Sequence, residues 1–133
     1  MPKYDREPVA WITRGGKHIP IFDSEDNYSE KDAIAKTKEL AKQYGFSEDE
    51  VNGISIKELK GKWGEYNVGT GLITFDKGIL KLPKPLADYV ISHELMHISY
   101  PNHGGMFQMV LTAHMPDWKD RENKLKRFAG KKL

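Results

Sequence analysis

The sequence predicts an α+β fold, because segments typical of short β-strands and of α-helices both occur in a chain of 133 residues. Two short apolar segments flank the pair Gly15-Gly16, which is the pattern of a β-hairpin. Apolar residues recur every three or four positions between Ala33 and Tyr44, as in an amphipathic helix. The length fits one domain, residues 1–133, that can bury its own core.

The composition excludes several classes of protein. Hydrophobic residues make up 38% of the chain and charged residues 30%, which is typical of a soluble globular domain. No apolar run approaches the roughly 18 residues that span a bilayer, so we expect no membrane partner. The chain has no cysteine, which excludes disulfides, thiolate metal ligands and a cysteine nucleophile. A cytoplasmic location is expected, since the N-terminus also has no apolar leader.

The N-terminal part, residues 1–27, is predicted to form a hairpin with extensions. Its strands would cover residues 9–13 and 18–22, with the turn at Arg14-Gly15-Gly16. A helix follows, for which Ser29 is the expected N-cap. Gly45 is expected to end it in the left-handed conformation.

The remainder of the chain is predicted to alternate strands, turns and helices. The principal helix covers about residues 86–99; Pro83 and Pro85 precede it, and Pro101 ends it. The other expected elements are strands at residues 54–59 and 72–75, a turn at 76–78, a helix at about 106–114 and a basic helix from Asp117 to about residue 128.

The principal helix carries the segment His93-Glu94-Leu95-Met96-His97, which is the HExxH pattern. Residues four apart lie on one face of a helix, so both imidazoles can reach one Zn²⁺. Glu94 then projects beside the metal, where it can take a proton from a water bound to the zinc. A chance match to this pattern is expected only about 0.01 times in a chain of this composition.

His103 is the best third ligand of a catalytic zinc, which needs three protein ligands and one open position. Pro101-Asn102 would break the helix and let the chain turn back to the metal. The sequence therefore predicts one Zn²⁺ per chain, bound by His93, His97 and His103, with Glu94 as the catalytic residue.

Three further residues could contribute to the site as oxyanion donors or by supporting the metal ligands. They are Tyr100, His114 and Tyr66. Each can also be a packing or surface residue, and the sequence does not choose among them.

The net charge of +2 is too small to indicate nucleic-acid binding. The positive charge is concentrated near the C-terminus, in the basic segment from Lys119 to Lys132. Such a segment can be a solvated helix and tail, or it can contact an anionic partner such as nucleic acid.

The chain resembles the minimal zincin metallopeptidases of the YgjP-like, SprT-like and WLM group, and the YgjP-like form most. The resemblance covers about residues 53–128 and follows the order and spacing of the family's segments. Those segments are Lys62-Trp63-Gly64, Gly71-Leu72-Ile73, Leu82-Pro83, residues 88–97, Asn102-His103, Phe107 and Pro116-Asp117-Trp118.

The resemblance implies a small zincin-like α+β fold with a short mixed or antiparallel sheet beside the HExxH helix. It implies the same three zinc ligands, Glu94 as general base, and a protein or peptide as substrate. By analogy with other zincins, a strand that includes Trp63, Gly64, Leu72 and Ile73 would line the substrate cleft and pair with an extended peptide.

Two other functions stay open. SprT-like and WLM relatives include proteins that act on DNA-bound substrates, so the domain could be a DNA-associated module. It could also be a phage structural or assembly protein with a structural or vestigial zinc site. The segment from Arg14 to Ile21 loosely resembles phage structural proteins, and a phage-encoded chain would act in the host cytoplasm.

Overall fold

The computed structural model describes residues 10–14, 17–21 and 26–127. Its first two strands, β1 (Ala10–Arg14) and β2 (Lys17–Ile21), pair antiparallel as a separate two-stranded sheet. The predicted hairpin is therefore present, with its strands displaced by about one residue from the expected bounds. Its predicted turn at Gly15-Gly16 lies outside the described residues.

Helix α1 (Glu30–Gln43) begins and ends where the sequence predicts. The Ser29 side chain accepts a hydrogen bond of 3.1 Å from the backbone N–H of Asp32, which satisfies one of the free donors of the first turn. Gly45 follows the C-cap with φ of +85°, a conformation that favours glycine.

The second sheet contains three strands, β3 (Gly53–Lys57), β4 (Gly64–Asn67) and β5 (Leu72–Asp76). Their spatial order is β3-β5-β4, so β5 is central and β4 is an edge strand. β3 runs parallel to β5 and β4 runs antiparallel to it, which makes the sheet mixed.

Three helices follow the sheet: α2 (Lys84–Ser99), α3 (Gly105–His114) and α4 (Trp118–Leu125). A short 3-10 helix (Lys77–Lys81) stands where a turn was expected at residues 76–78, and the Asp76 carboxylate caps it by accepting from the Gly78 N–H at 2.7 Å. Helix α2 ends at Ser99, just before Tyr100 and Pro101, because the residue before a proline avoids the helical conformation.

Helix α2 is the centre of the core, since ten of its residues, including His93 and Glu94, are buried. The sheet, the 3-10 helix, helices α1, α3 and α4 and the segments between these elements contribute the other residues of the cluster. The architecture is α+β, as predicted, and it packs α2, with its HExxH segment, against strand β4. Among the described residues, no helix is long and apolar enough to cross a membrane.

Candidate metal centre and active site

The three predicted histidine ligands converge on one point. The Nε2 atoms of His93 and His97 are 3.1 Å apart, and the Nε2 of His103 is 2.9 Å from each of them. Helix α2 supplies the first two from successive turns, and the break at Pro101 returns the third to them. Ligands of a tetrahedral zinc lie roughly 3.3 Å from one another, so this triangle has nearly the size that the ion requires.

The outer nitrogens of two of these rings show why the inner ones point at a metal. The Nδ1 of His97 lies 3.2 Å from the backbone oxygen of Tyr100, which can only accept a hydrogen bond. The Nδ1 of His93 lies 3.2 Å from the hydroxyl of Tyr89, which donates its own proton to Glu122. Both Nδ1 atoms therefore carry the proton, and both Nε2 atoms present lone pairs.

Two lone pairs at 3.1 Å repel, and a bound cation relieves that repulsion. Burial, with the neighbouring His97 and His103, lowers the pKa of His93 to about 3. Burial and His103 likewise lower the pKa of His97. These two rings are thus neutral at neutral pH, which is the state that binds a metal. Phe107 packs against all three rings, with its centroid 5.0 Å from each.

Glu94 follows His93 in α2 and carries a buried side chain, with only 4% of the residue exposed. Its Oε1 is buried and has no hydrogen-bond partner among the described residues. Burial raises the pKa of Glu94 to about 7; Lys62 opposes the rise, and Glu65 adds to it. A carboxylate with a free oxygen and a pKa near neutrality is suited to accept and return a proton.

The donor set fits a zinc ion, because it offers three imidazole nitrogens at the right spacing, and the residue after His93 carries a buried oxygen with no hydrogen-bond partner among the described residues. His93, His97 and His103 are the one group among the described residues whose side chains could together hold a metal. The three predicted metal ligands thus lie together, and Glu94, the predicted general base, directly follows the first of them in α2.

The three residues that were predicted as alternative oxyanion donors lie in different places. The backbone of Tyr100 holds His97, and the side chain of Tyr100 packs against the core. The hydroxyl of Tyr66 donates to the backbone oxygen of Glu50 at 2.6 Å. The ring of His114 lies 4.4 Å from the ring of Tyr44. Of the three, Tyr100 is the one with a described contact to a predicted metal ligand, His97.

The four residues that were predicted to line the cleft do not share one strand. Leu72 and Ile73 belong to β5, which is the central strand and has no free edge, and Ile73 is fully buried. Trp63 is 3% exposed and belongs to the core. Gly64 begins the edge strand β4 and lies directly against Glu94. The strand edge beside the site is therefore that of β4.

Sequence reasoning missed two residues that are connected to the site. Tyr89 contacts His93, and Glu122 contacts Tyr89. The hydroxyl of Tyr89 bridges His93 and Glu122, although Tyr89 stands in the HExxH helix and Glu122 in α4. Tyr89 could have been found, because it precedes His93 by one helical turn. Glu122 is 33 residues from Tyr89, and nothing local in the sequence indicates that pairing.

The described part of the basic segment is largely ion-paired. Arg121, Lys124 and Lys126 each pair with the acidic residue four positions earlier, at 3.0, 3.2 and 3.8 Å. Lys119 lies over the ring of Trp118. Residues 119–127 nevertheless keep an excess of positive charge, with five basic and two acidic side chains; residues 128–132 of the segment lie outside the described residues.

Three histidines around a point, a buried glutamate and an adjacent edge strand define a metallopeptidase site of the HExxH class. A model of the YgjP-like metallopeptidase domain matches residues 26–128. The chain belongs to the YgjP-like metallopeptidase family, as its motifs predicted. The family match begins at residue 26 and includes α1, whereas the resemblance seen in the sequence began at about residue 53. The family domain therefore extends further towards the N-terminus than the sequence motifs indicated.

Two solved structures share the fold. The metallopeptidase zymogen abylysin from Pyrococcus abyssi superposes with a TM-score of 0.66 and 19% identity, over 76% of this chain and 98% of that one. The metallopeptidase zymogen jannalysin from Methanocaldococcus jannaschii superposes with a TM-score of 0.62 and 24% identity, over 74% of this chain and 94% of that one. No curated protein sequence matches the chain significantly.

Proposed function

We propose that this chain is a zinc-dependent peptidase that hydrolyses peptide bonds, with zinc held by His93, His97 and His103. One observation carries the proposal: the Nε2 atoms of three histidines converge within 3.1 Å of one another, and the residue after the first is a glutamate with a buried oxygen that has no hydrogen-bond partner among the described residues. The family match and the two metallopeptidase neighbours support the same class of reaction.

The zinc ion and Glu94 have different proposed roles in hydrolysis. Zinc, when bound, supplies Lewis-acid polarisation and lowers the pKa of water. Glu94 accepts the proton of the attacking water and passes it to the leaving amine. Its pKa of about 7 suits both transfers. The surrounding core excludes bulk water from the carboxylate, which strengthens its interaction with the proton.

The edge of β4 is the proposed binding surface for the substrate. β4 pairs with β5 through one edge only, and its first residue, Gly64, lies against Glu94. An extended peptide that adds to the other edge would carry its backbone past the carboxylate. Tyr100 is the proposed oxyanion donor, because it directly follows α2; its contact with His97 is through the backbone oxygen, which accepts and leaves the hydroxyl to donate.

Glu94→Gln tests the catalytic role. The amide keeps the shape of the side chain but cannot accept the proton, so hydrolysis should fall by about 10²–10⁴-fold. Zinc content, measured by plasma mass spectrometry, should remain one per chain. Glu58→Gln makes the same chemical change at an exposed residue after β3 and should leave both quantities unaltered. Unchanged turnover in Glu94→Gln would remove the assigned role.

His103→Ala tests the metal site itself. Removing the third ligand should reduce the zinc content of protein purified without added metal, because a two-histidine site binds much more weakly. His114→Ala is the matched control for zinc content, since His114 packs on Tyr44 rather than on the triangle. If the wild type takes up no zinc at neutral pH, the proposed function is wrong.

A further inference from the structure

A chain of hydrogen bonds connects α4 to the metal centre. The hydroxyl of Tyr89 lies 2.7 Å from Oε2 of Glu122 and 3.2 Å from Nδ1 of His93. Tyr89 is fully buried, while the side chain of Glu122 is 32% exposed. The connection therefore runs from the surface helix, through the core, to the most buried of the three histidines.

We propose that Tyr89 and Glu122 are positioning residues that fix the tautomer and the orientation of His93 for metal binding. The inference rests on the proposed zinc site and goes beyond it, because it assigns a function to α4. In the described contacts, neither Tyr89 nor Glu122 touches the proposed metal position or the edge of β4 that we propose for the substrate. They act on the site through one imidazole ring.

The direction of the hydrogen bonds carries the argument. A phenol has a single proton, and the carboxylate of Glu122, which can only accept, takes it. The oxygen of Tyr89 can then only accept from Nδ1 of His93. The proton of the neutral imidazole is thereby kept at Nδ1, and Nε2 faces His97 and His103 as a lone pair. Without Glu122, the phenol could turn its proton to Nδ1 and select the wrong tautomer.

The packing of α4 holds Glu122 in place. The ring of Trp118 stacks on that of Tyr89, with centroids 6.5 Å apart and planes 11° from parallel. Arg121 donates to the backbone oxygen of Pro85 at 3.1 Å and so ties α4 to the first turn of α2. Lys126 pairs with the other carboxylate oxygen of Glu122 at 3.8 Å. Pro116-Asp117-Trp118 thus begins the helix that orients a metal ligand.

The test compares zinc affinity in the full-length chain with the wild type, Tyr89→Phe, Glu122→Gln and the double variant. Tyr28→Phe is the matched control. Its hydroxyl donates to Asp88, also on α2, at 2.6 Å, so this variant removes an equivalent phenol–carboxylate bond that does not reach a metal ligand. The zinc Kd is measured by competition with a chromogenic chelator, and the melting temperature is measured without metal.

Tyr89→Phe should weaken zinc binding by about 10–100-fold, the usual effect of losing a group that orients a metal ligand. Glu122→Gln should weaken it less, because the amide oxygen can still accept from the phenol. The double variant should bind as Tyr89→Phe does, since Glu122 acts only through Tyr89. Tyr28→Phe should lower the melting temperature while its zinc Kd stays that of the wild type.

Equal zinc Kd values for the wild type and Tyr89→Phe would overturn the inference and leave the proposed function intact. Failure of the wild type to bind zinc would instead overturn the proposed function. A second measurement needs neither metal nor variant: long-range ¹⁵N–¹H spectra of the metal-free chain report the tautomer of each histidine. A proton on Nδ1 of His93 is expected, and a proton on its Nε2 would overturn the inference.

Discussion

At the scale of single residues, Gly64 lets the edge strand β4 come close to the carboxylate of Glu94, the proposed general base. A Cβ atom on Gly64 would lie 2.6 Å from Cγ of Glu94 and 3.2 Å from the backbone oxygen of Thr74. Neither neighbour can give way easily, because Glu94 and Thr74 are both buried. The missing side chain therefore lets the backbone of β4 pass directly beside Glu94.

Gly64→Ala should displace Glu94 and reduce hydrolysis strongly while zinc stays bound. The added methyl group should also cost about 1–3 kcal/mol of stability, as overpacking in a filled core does. Gly53→Ala is the control, because a Cβ there would meet only the end of the Leu72 side chain, at 3.1 Å. The measurements are the turnover rate and the melting temperature of both variants, each compared with the wild type. Full activity in Gly64→Ala would show that Glu94 has room to move.

At the scale of elements, the turn between β4 and β5 sets where the edge strand lies. Gly71 in this turn has φ of +73°, and its oxygen accepts from the N–H of Asn52 at 2.9 Å, before the start of β3. A Cβ on Gly71 would lie 2.6 Å from the backbone oxygen of Asp49. The glycine thus joins the β4–β5 turn to the segment before β3.

Gly71→Ala should therefore destabilise the protein more than Gly45→Ala. Both glycines have positive φ, so both substitutions carry the left-handed penalty of about 1–2 kcal/mol. Gly45 has open space around its Cβ position, whereas Gly71 meets backbone. The difference between the two free energies of unfolding, from urea titrations, measures the steric part. Equal losses would mean that the turn can shift freely.

The local features of the elements could be predicted from sequence, and their pairings could not. Ser29, Gly45 and Pro101 act within a few residues, so the ends of α1 and α2 came out close to their predicted positions. The placement of β5 between β3 and β4 depends on contacts between distant segments, and β4 was not predicted as a strand of its own.

The same distinction between local features and contacts of distant segments applies to the candidate site. The proposed ligands on α2 follow from helical spacing alone, and the fold brings His103 to them. Glu122 reaches the site only because α4 packs on α2, an arrangement that no local pattern encodes. The cleft prediction grouped residues of the edge strand with residues of the central strand, since a sequence does not show which strand has a free edge.

At the scale of the whole molecule, the buried core draws on more elements than the proposed metal site does. The buried apolar cluster combines residues of α1, the three-stranded sheet and α2, α3 and α4. The proposed metal ligands come from α2 and the short connection to α3. A structural zinc, by contrast, supplies the energy of folding itself, and such domains are unfolded without it.

Removing zinc with a chelator should therefore lower the melting temperature without unfolding the chain at 25 °C. At free zinc of 100 times Kd, binding contributes about 2.7 kcal/mol, and its loss should lower the melting temperature by about 10 °C. Far-ultraviolet circular dichroism at 25 °C should stay nearly constant, because the core remains buried. The His103→Ala variant is the control, and its melting temperature should hardly respond to the chelator. Loss of helical signal in the metal-free wild type would instead favour a structural role for zinc and count against the peptidase proposal.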